Sequence, residues 1–260
     1  MAQQSHQSDP RILNRRTLEQ NHRHLAGLLK AGTSVLDIGC GTGAITAGIA
    51  KAVGADGHVV GMDRDESLLE LARGQHRDIA NLNFESRDVL ALNYEGIFDI
   101  VTAARMLQWV GDPRAALAQM KRAARPGGQI VVLDYNHDNN AWEPEPPTAF
   151  RRFYRAFLDW RAANRWDNRT ADSLPDLFRS VGLRQIEVYD DDEITRRGNA
   201  DFSAASALWT QVIEGLGPRI AEAGFLAEGE WNHAECEYRD WAERNLQKQT
   251  LQMRTVAGRV

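Results

Sequence analysis

The stretch "VLDIGCGTGAIT", residues 35–46, decides how the rest of the chain is read. The short apolar run "SVLDIG", 34–39, leads into a turn with glycine at 39, 41 and 43, and helical spacing then continues from Gly43 to about Val53. The pattern predicts a buried strand, a bare turn and a helix. Glycine lets a backbone turn into left-handed conformations and approach a ligand closely. Asp37 stands just before the first glycine, so whatever approaches this turn meets a carboxylate.

Two ligand classes fit the turn. Gly39, Gly41 and Ala44 satisfy the loose dinucleotide pattern G-x-G-x-x-G/A, with Asp63 at the expected distance. Gly39, Gly41 and Gly43 equally satisfy the G-x-G-x-G spacing that reads S-adenosylmethionine. Asp37 favours the second class. A dinucleotide would set an anionic pyrophosphate at the helix N-terminus, where this carboxylate repels it. S-adenosylmethionine carries a cationic amino group and a sulfonium, which the carboxylate attracts. Asp63 ends the next strand and can accept hydrogen bonds from both ribose hydroxyls. Asp88 ends the third and can accept one from an adenine amino group.

Outward from the turn, strands are expected at 58–63, 81–88, 98–104 and 128–135, with helices at 66–76 and 113–124 between them. Alternating strands and helices imply a parallel sheet covered on both faces. Ahead of the turn, residues 11–30 read as one helix with apolar positions at Ile12, Leu18, Leu25, Leu28 and Leu29. Beyond it come a helix at 148–165, a helix at 173–183, a strand at 184–192, helices at 201–223 and 228–246, and a last strand at 249–260. The expected fold is α/β: a doubly wound, Rossmann-like, mostly parallel seven-stranded sheet with a helical cap. The chain, 1–260, is expected to be one domain whose cap insertions lie at about 138–170 and 200–246, over the carboxyl ends of the strands, where such sheets bind ligands.

The 260 residues are 43% apolar and 26% charged, with a formal net charge of −5. That balance argues against a nucleic-acid surface, which needs a basic face. Cys40 and Cys236 are too few and too far apart for a disulfide framework or a cysteine zinc site. The first ten residues carry no signal-peptide core, and no run is long and apolar enough for a membrane span. The expectation is a cytoplasmic protein, monomer or homodimer, with no nucleic-acid or membrane partner.

The segments "VLDIGCGTG", "GMD", "SRDVLAL", "FDIVTAARMLQWVGDPRAAL" and "RPGGQIVVLDY" resemble the class I S-adenosylmethionine-dependent methyltransferases of the UbiE-like, small-molecule group. The resemblance covers about residues 35–135, some two fifths of the chain. It implies that Asp37, Gly39, Cys40, Gly41 and Gly43 surround the methionine part. It implies that Asp63 holds the ribose, with Met62 and Arg64 beside the adenine, and that Asp88 and Val89 meet the adenine edge. Ala104 and Arg105 should border the methionine carboxylate and the methyl group. The implied activity is methyl transfer to an oxygen or nitrogen of a small-molecule acceptor.

The acceptor side is less determined. Tyr135 and His137, in "DYNH" past the fifth strand, could take a proton from the acceptor; alternatively His137 only fixes the strand end. Asp134, His137 and Asp138 have no diagnostic metal spacing, and no metal is expected. Phe150, Phe153, Tyr154 and Phe157 share one helix face. They either pack a core or, with Trp142, Trp160 and Arg152 or Arg155, wall a pocket for a flat acceptor. A further possibility is a pocket lined by the N-terminal helix, including His24. The acidic run "DDDE", 190–193, reads as a solvated loop. Two other classes compete: a methyltransferase acting on a macromolecule, and a non-catalytic S-adenosylmethionine-binding protein or dinucleotide enzyme on the same fold.

Overall fold

A computed structural model describes residues Asp9–Val260. They form two compact units. The sheet unit holds Leu13–Tyr135, Thr170–Asp191 and Met253–Val260. The helical unit holds Asn136–Arg169, Asp192–Gln252 and the described residues up to Ile12.

In chain order the strands are β1 (Ser34–Ile38), β2 (His58–Asp63), β3 (Leu82–Ser86), β4 (Phe98–Ala104), β5 (Ala124–Tyr135), β6 (Ala141–Glu143), β7 (Arg184–Asp190), β8 (Glu193–Arg196), β9 (Lys248–Leu251) and β10 (Met253–Arg259). Seven make the main sheet, in the order β3-β2-β1-β4-β5-β10-β7. The first five run parallel, and β10 lies antiparallel to both its neighbours. The central strands are apolar runs because both of their faces are covered. On one face Leu36, Ile38, Val60, Val101 and Val132 join residues of the helices Pro113–Ala123 and Thr170–Ser180. On the other, Val35, Val59, Ile100 and Val131 pack with Ile45 and Ile49 of the helix Ala44–Val53 and with Leu18 and Leu25. The strand order reverses between β1 and β4. That is the switch point at whose carboxyl side an open α/β sheet binds its ligand.

In the helical unit, Thr148–Ala163, Leu208–Glu222 and Glu230–Arg244 are helices. Phe150, Phe153, Phe157 and Trp160 line the buried face of the first, and Trp209, Ile213 and Tyr238 are buried on the other two. Beside them β6, β9 and β8 form a three-stranded antiparallel sheet.

Three expectations change. Residues 11–30 are not one helix but Pro10–Leu13, Leu18–Asn21 and Arg23–Leu28. Thr17 breaks the run by accepting from the Gln20 amide at 3.2 Å, the bond of a new helix start. The last strand divides at Gln252, whose amide donates to Asn140 Oδ1 at 2.9 Å and whose carbonyl accepts from the Asn136 amide. The backbone groups there leave the ladder, so β9 and β10 serve different sheets. The run "DDDE" is not wholly solvated: Asp191 is buried, ion-paired with Arg23 at 3.1 Å and accepting from the Thr255 hydroxyl.

Candidate active site at the β1–β4 switch point

The glycine turn joins β1 to the helix Ala44–Val53. Its backbone is pinned from β2: the Gly39 and Cys40 amides donate to the Met62 carbonyl at 2.7 and 3.0 Å. From the outer side, His76 Nε2 donates to the Thr42 carbonyl at 3.2 Å. Gly39 and Gly43 have φ of 73° and 75°, the left-handed region where a side chain is strained. A Cβ on Gly43 would stand 2.6 Å from Phe84 Cζ, and one on Gly39 2.4 Å from Met106 Cγ. The protein's own packing therefore already requires glycine at both positions.

Asp37 is the unusual group. It is 3% exposed, and Thr46 donates its hydroxyl to Asp37 Oδ2 at 2.6 Å. No described cation pairs with it. Burial, with Asp63 nearby, pushes its carboxyl up to about 7. Asp63 is also raised by burial, against the amides that hold it. Its two oxygens accept from the Gly41 amide at 2.8 Å and the Asp65 amide at 3.0 Å. It thus ties the turn to the end of β2. The Cys40 thiol is pushed well above its ordinary value, chiefly by burial, which disfavours the nucleophilic thiolate.

A small pocket opens at the turn. It is lined by Asp37, Gly39, Cys40 and Thr42, by Ala104 at the end of β4, and by Leu13 and Arg16. Thr42 is 1% exposed and its hydroxyl has no partner. Sequence reasoning missed Thr42 and Arg16. The only signal for Thr42 was its place inside the motif, and Arg16 gave none.

The remaining candidates fall out as follows. The Met62 side chain belongs to the core cluster behind the sheet, so it serves the turn through its carbonyl. Arg64 is exposed. Asp88 is exposed and caps the turn Val89–Ala91, accepting from the Leu90 amide at 2.8 Å; Val89 is buried in the core. Arg105 follows β4 with φ 60° although it is not glycine, and it is 5% exposed. Its Nε donates to the Tyr135 hydroxyl at 3.0 Å and its Nη1 to the Asn21 carbonyl at 3.1 Å. Strain in a buried, hydrogen-bonded residue of this kind is characteristic of functional positions.

His137 belongs to the helical unit. It lies edge-on to Phe157 with ring centroids 5.5 Å apart, and burial and the nearby Arg161 hold it well below the ordinary imidazole range. The aromatic residues around it are tied to one another. Tyr154 donates to the His137 carbonyl at 2.5 Å, and Trp142 meets Phe150, Tyr154 and Trp209 edge-on. Trp160 packs against Trp166, and Arg152 pairs with Glu230 at 2.5 Å. Among the described residues no three His, Cys, Asp or Glu side chains are grouped to hold a metal. No helix there is long and apolar enough to cross a membrane.

Known proteins share this family domain and this fold. A family model described as a methyltransferase domain matches residues 29–168, more than half of the chain. Demethylmenaquinone methyltransferase of Staphylococcus haemolyticus is 30% identical over 179 residues, covering 62% of this chain and 72% of that protein. Phosphoethanolamine N-methyltransferase 2 of Haemonchus contortus, solved with S-adenosyl-L-methionine, superposes with a TM-score of 0.59 at 17% identity, over 93% of this chain and 52% of that one. The cyclase SpnF superposes with a TM-score of 0.57 at 20% identity, over 95% of this chain and 84% of that one. At such identities the two structures speak for the fold alone. A methyltransferase and a cyclase share it, so the fold does not choose the reaction.

Proposed function

Because the chain belongs to the class I S-adenosylmethionine-dependent methyltransferases of the UbiE type, we propose that it methylates a small hydroxylated or amino-bearing molecule. A flat quinol-like acceptor heads the candidates, since the relative from Staphylococcus haemolyticus is named for demethylmenaquinone. The observation that carries the cofactor part is Asp37: a buried carboxylate at a glycine turn, at the switch point, with no described cation to neutralise it. A buried charge of that kind calls for a partner, and the amino group and sulfonium of S-adenosylmethionine are cationic.

The pocket residues fit the same ligand. Asp37 attracts its cationic end. The orphaned Thr42 hydroxyl and the Arg16 side chain border the same space, where a methionine carboxylate needs a donor and a cation. Asp63 has lone pairs beyond those given to Gly41 and Asp65, and ribose hydroxyls are donors suited to them. Asp88 and Val89 stand at the next strand end for the adenine. S-adenosylmethionine supplies a methyl group already activated on sulfur. What the chain adds is alignment: holding the acceptor's lone pair in line with that methyl at near-contact distance. Tyr135 is the proton-carrying group of the sheet unit best fitted to meet the acceptor. Its hydroxyl accepts from a guanidinium, which strengthens its O–H as a donor. His137 is retained as the second candidate, held neutral by its surroundings.

Calorimetric binding of S-adenosylhomocysteine against NADH tests the cofactor. Transfer of labelled methyl to naphthols, catechols, arylamines, total RNA and protein tests the acceptor. Binding of NADH but not S-adenosylhomocysteine would remove the reading. Label appearing only in a macromolecule would replace the acceptor class. Tight binding with no transfer to any of them would leave a non-catalytic binding protein.

A further inference from the structure

His22 lies between two short helices of the N-terminal segment. It is 1% exposed, with Nε2 2.9 Å from Thr102 Oγ1 on β4. Thr102 spends its proton on the Val131 carbonyl, also at 2.9 Å. The hydroxyl oxygen can then only accept, so the imidazole carries its proton on Nε2 and its lone pair on Nδ1. The two ring nitrogens diverge, so Nδ1 points away from Thr102. It is buried and has no partner. A buried acceptor with nothing to accept is uncommon in a folded protein.

Its partners on β4 lead to the site. Thr102 is the register partner of Asp37 on the adjacent strand. Two residues on along β4, Ala104 lines the pocket with Asp37 and Gly39. The neighbouring Asn21 carbonyl receives Arg105 Nη1, and Arg105 Nε reaches Tyr135. Burial, then the charges of Arg105 and His24, hold the imidazole near 3, so it is neutral through the physiological range. It cannot act as a cation, and it is too weak a base to keep a proton. What remains to it is to accept a hydrogen bond.

We propose that His22 Nδ1 accepts a hydrogen bond from a hydroxyl group of the methyl acceptor, selecting acceptors that bear an O–H and fixing how that group is turned toward the methyl. This rests on the reading above. It goes beyond it in naming a positioning residue and the functional group it recognises. An acceptor whose corresponding oxygen is already alkylated has no proton to offer and leaves Nδ1 orphaned.

Two conservative variants separate this role from a structural one. His22→Gln can keep a donor at the Nε2 position for Thr102 but has nothing at Nδ1. His22→Asn can place its amide oxygen at Nδ1 but does not reach Thr102. The probes are 1-naphthol and 1-methoxynaphthalene, titrated by fluorescence into protein saturated with S-adenosylhomocysteine. The wild type should prefer 1-naphthol by about tenfold, the scale of one buried hydrogen bond. His22→Gln should lose that preference, with S-adenosylhomocysteine affinity and Tm unchanged, and His22→Asn should restore most of it. The inference is overturned if the wild type shows no preference or takes up neither probe. It is overturned equally if His22→Gln keeps the preference while His22→Asn loses it, which marks His22 as an anchor for Thr102 alone. A wild type that does not bind S-adenosylhomocysteine overturns the cofactor reading instead.

Discussion

Thr46, in the first turn of the helix after the glycine loop, donates to Asp37 Oδ2 at 2.6 Å, and among the described residues it is the side-chain donor that Asp37 has. It is the counterweight to burial, which drives the same carboxyl toward protonation. Hydrogen bonds to a charged group contribute about 1.5–3 kcal/mol. Thr46→Val removes that bond at nearly constant volume. S-adenosylhomocysteine should then bind about tenfold more weakly at pH 7, with most of the loss recovered at pH 9, where Asp37 ionises regardless. A loss independent of pH would show that Thr46 acts through packing.

The position of Asp37 near 7 also fixes a pH dependence for the unaltered protein. Its carboxyl is raised on folding, so its stabilising share is full below the ordinary carboxylate range and is lost as pH rises through about 7. The free protein should lose stability from about pH 4 to about pH 7 through this group and level off above. A cationic ligand prefers the ionised form, so affinity should rise over the same interval, approaching tenfold per pH unit on the acid side. Thermal shift with and without S-adenosylmethionine at pH 6, 7 and 8 measures both. A ligand-induced shift that shrinks toward pH 8 would contradict the sign.

Asp63 ties Gly41 to the end of β2 at 2.8 Å, so its removal should act twice. Asp63→Ala is expected to lower S-adenosylhomocysteine affinity at least tenfold and to cost about 1–2 kcal/mol of stability for the freed backbone amides. Asp63→Asn keeps an acceptor oxygen for Gly41 and should recover most of the stability while recovering less of the affinity. Urea unfolding and calorimetry on the two variants separate these effects. Equal recovery of both would mean that Asp63 shapes the turn and does not touch the ribose.

The sheet and its glycine turn were legible because their signals are local. "VLDIGCGTG" carries strand, turn and carboxylate within one short run, and β2, β4 and β5 are largely apolar stretches bounded by turn residues. The break-up of 11–30 was hidden because Leu18 and Leu25 keep helical spacing across it. The division of the final strand depends on Asn140 and Asn136 reaching Gln252 from far along the chain. His22 had no signal at all. Its tautomer is set by Thr102 and Val131, two strands that no pattern around residue 22 announces. Asp191 looked like one acid of a solvated run, because the Arg23 and Thr255 partners that bury it are distant in sequence.

Gly43 gives a prediction about folding. With φ at 75° and a Cβ position 2.6 Å from the Phe84 ring, Gly43→Ala combines left-handed strain with a clash. Each contributes on the order of 1 kcal/mol or more, so a loss of about 2–3 kcal/mol is expected in urea unfolding. Truncating the obstacle in Gly43→Ala/Phe84→Leu should return the part due to the clash and none of the part due to φ. A single variant as stable as the wild type would mean that the turn relaxes to take a side chain.

Arg105 holds the same kind of backbone without being glycine. Its φ of 60° and its amide bond to the Leu133 carbonyl at 2.7 Å fix it in a conformation that an L residue resists. Arg105→Gly and Arg105→Ala both delete the guanidinium that reaches Tyr135 and Asn21. They differ only in the cost of that backbone, so the glycine variant should be the more stable by about 1 kcal/mol. Methyl transfer should fall to the same low level in both, because the lost side chain is the same, while S-adenosylhomocysteine binding should fall less. If the glycine variant instead regained activity over the alanine one, the left-handed backbone would itself limit the reaction, and the role given to the guanidinium would have to be abandoned.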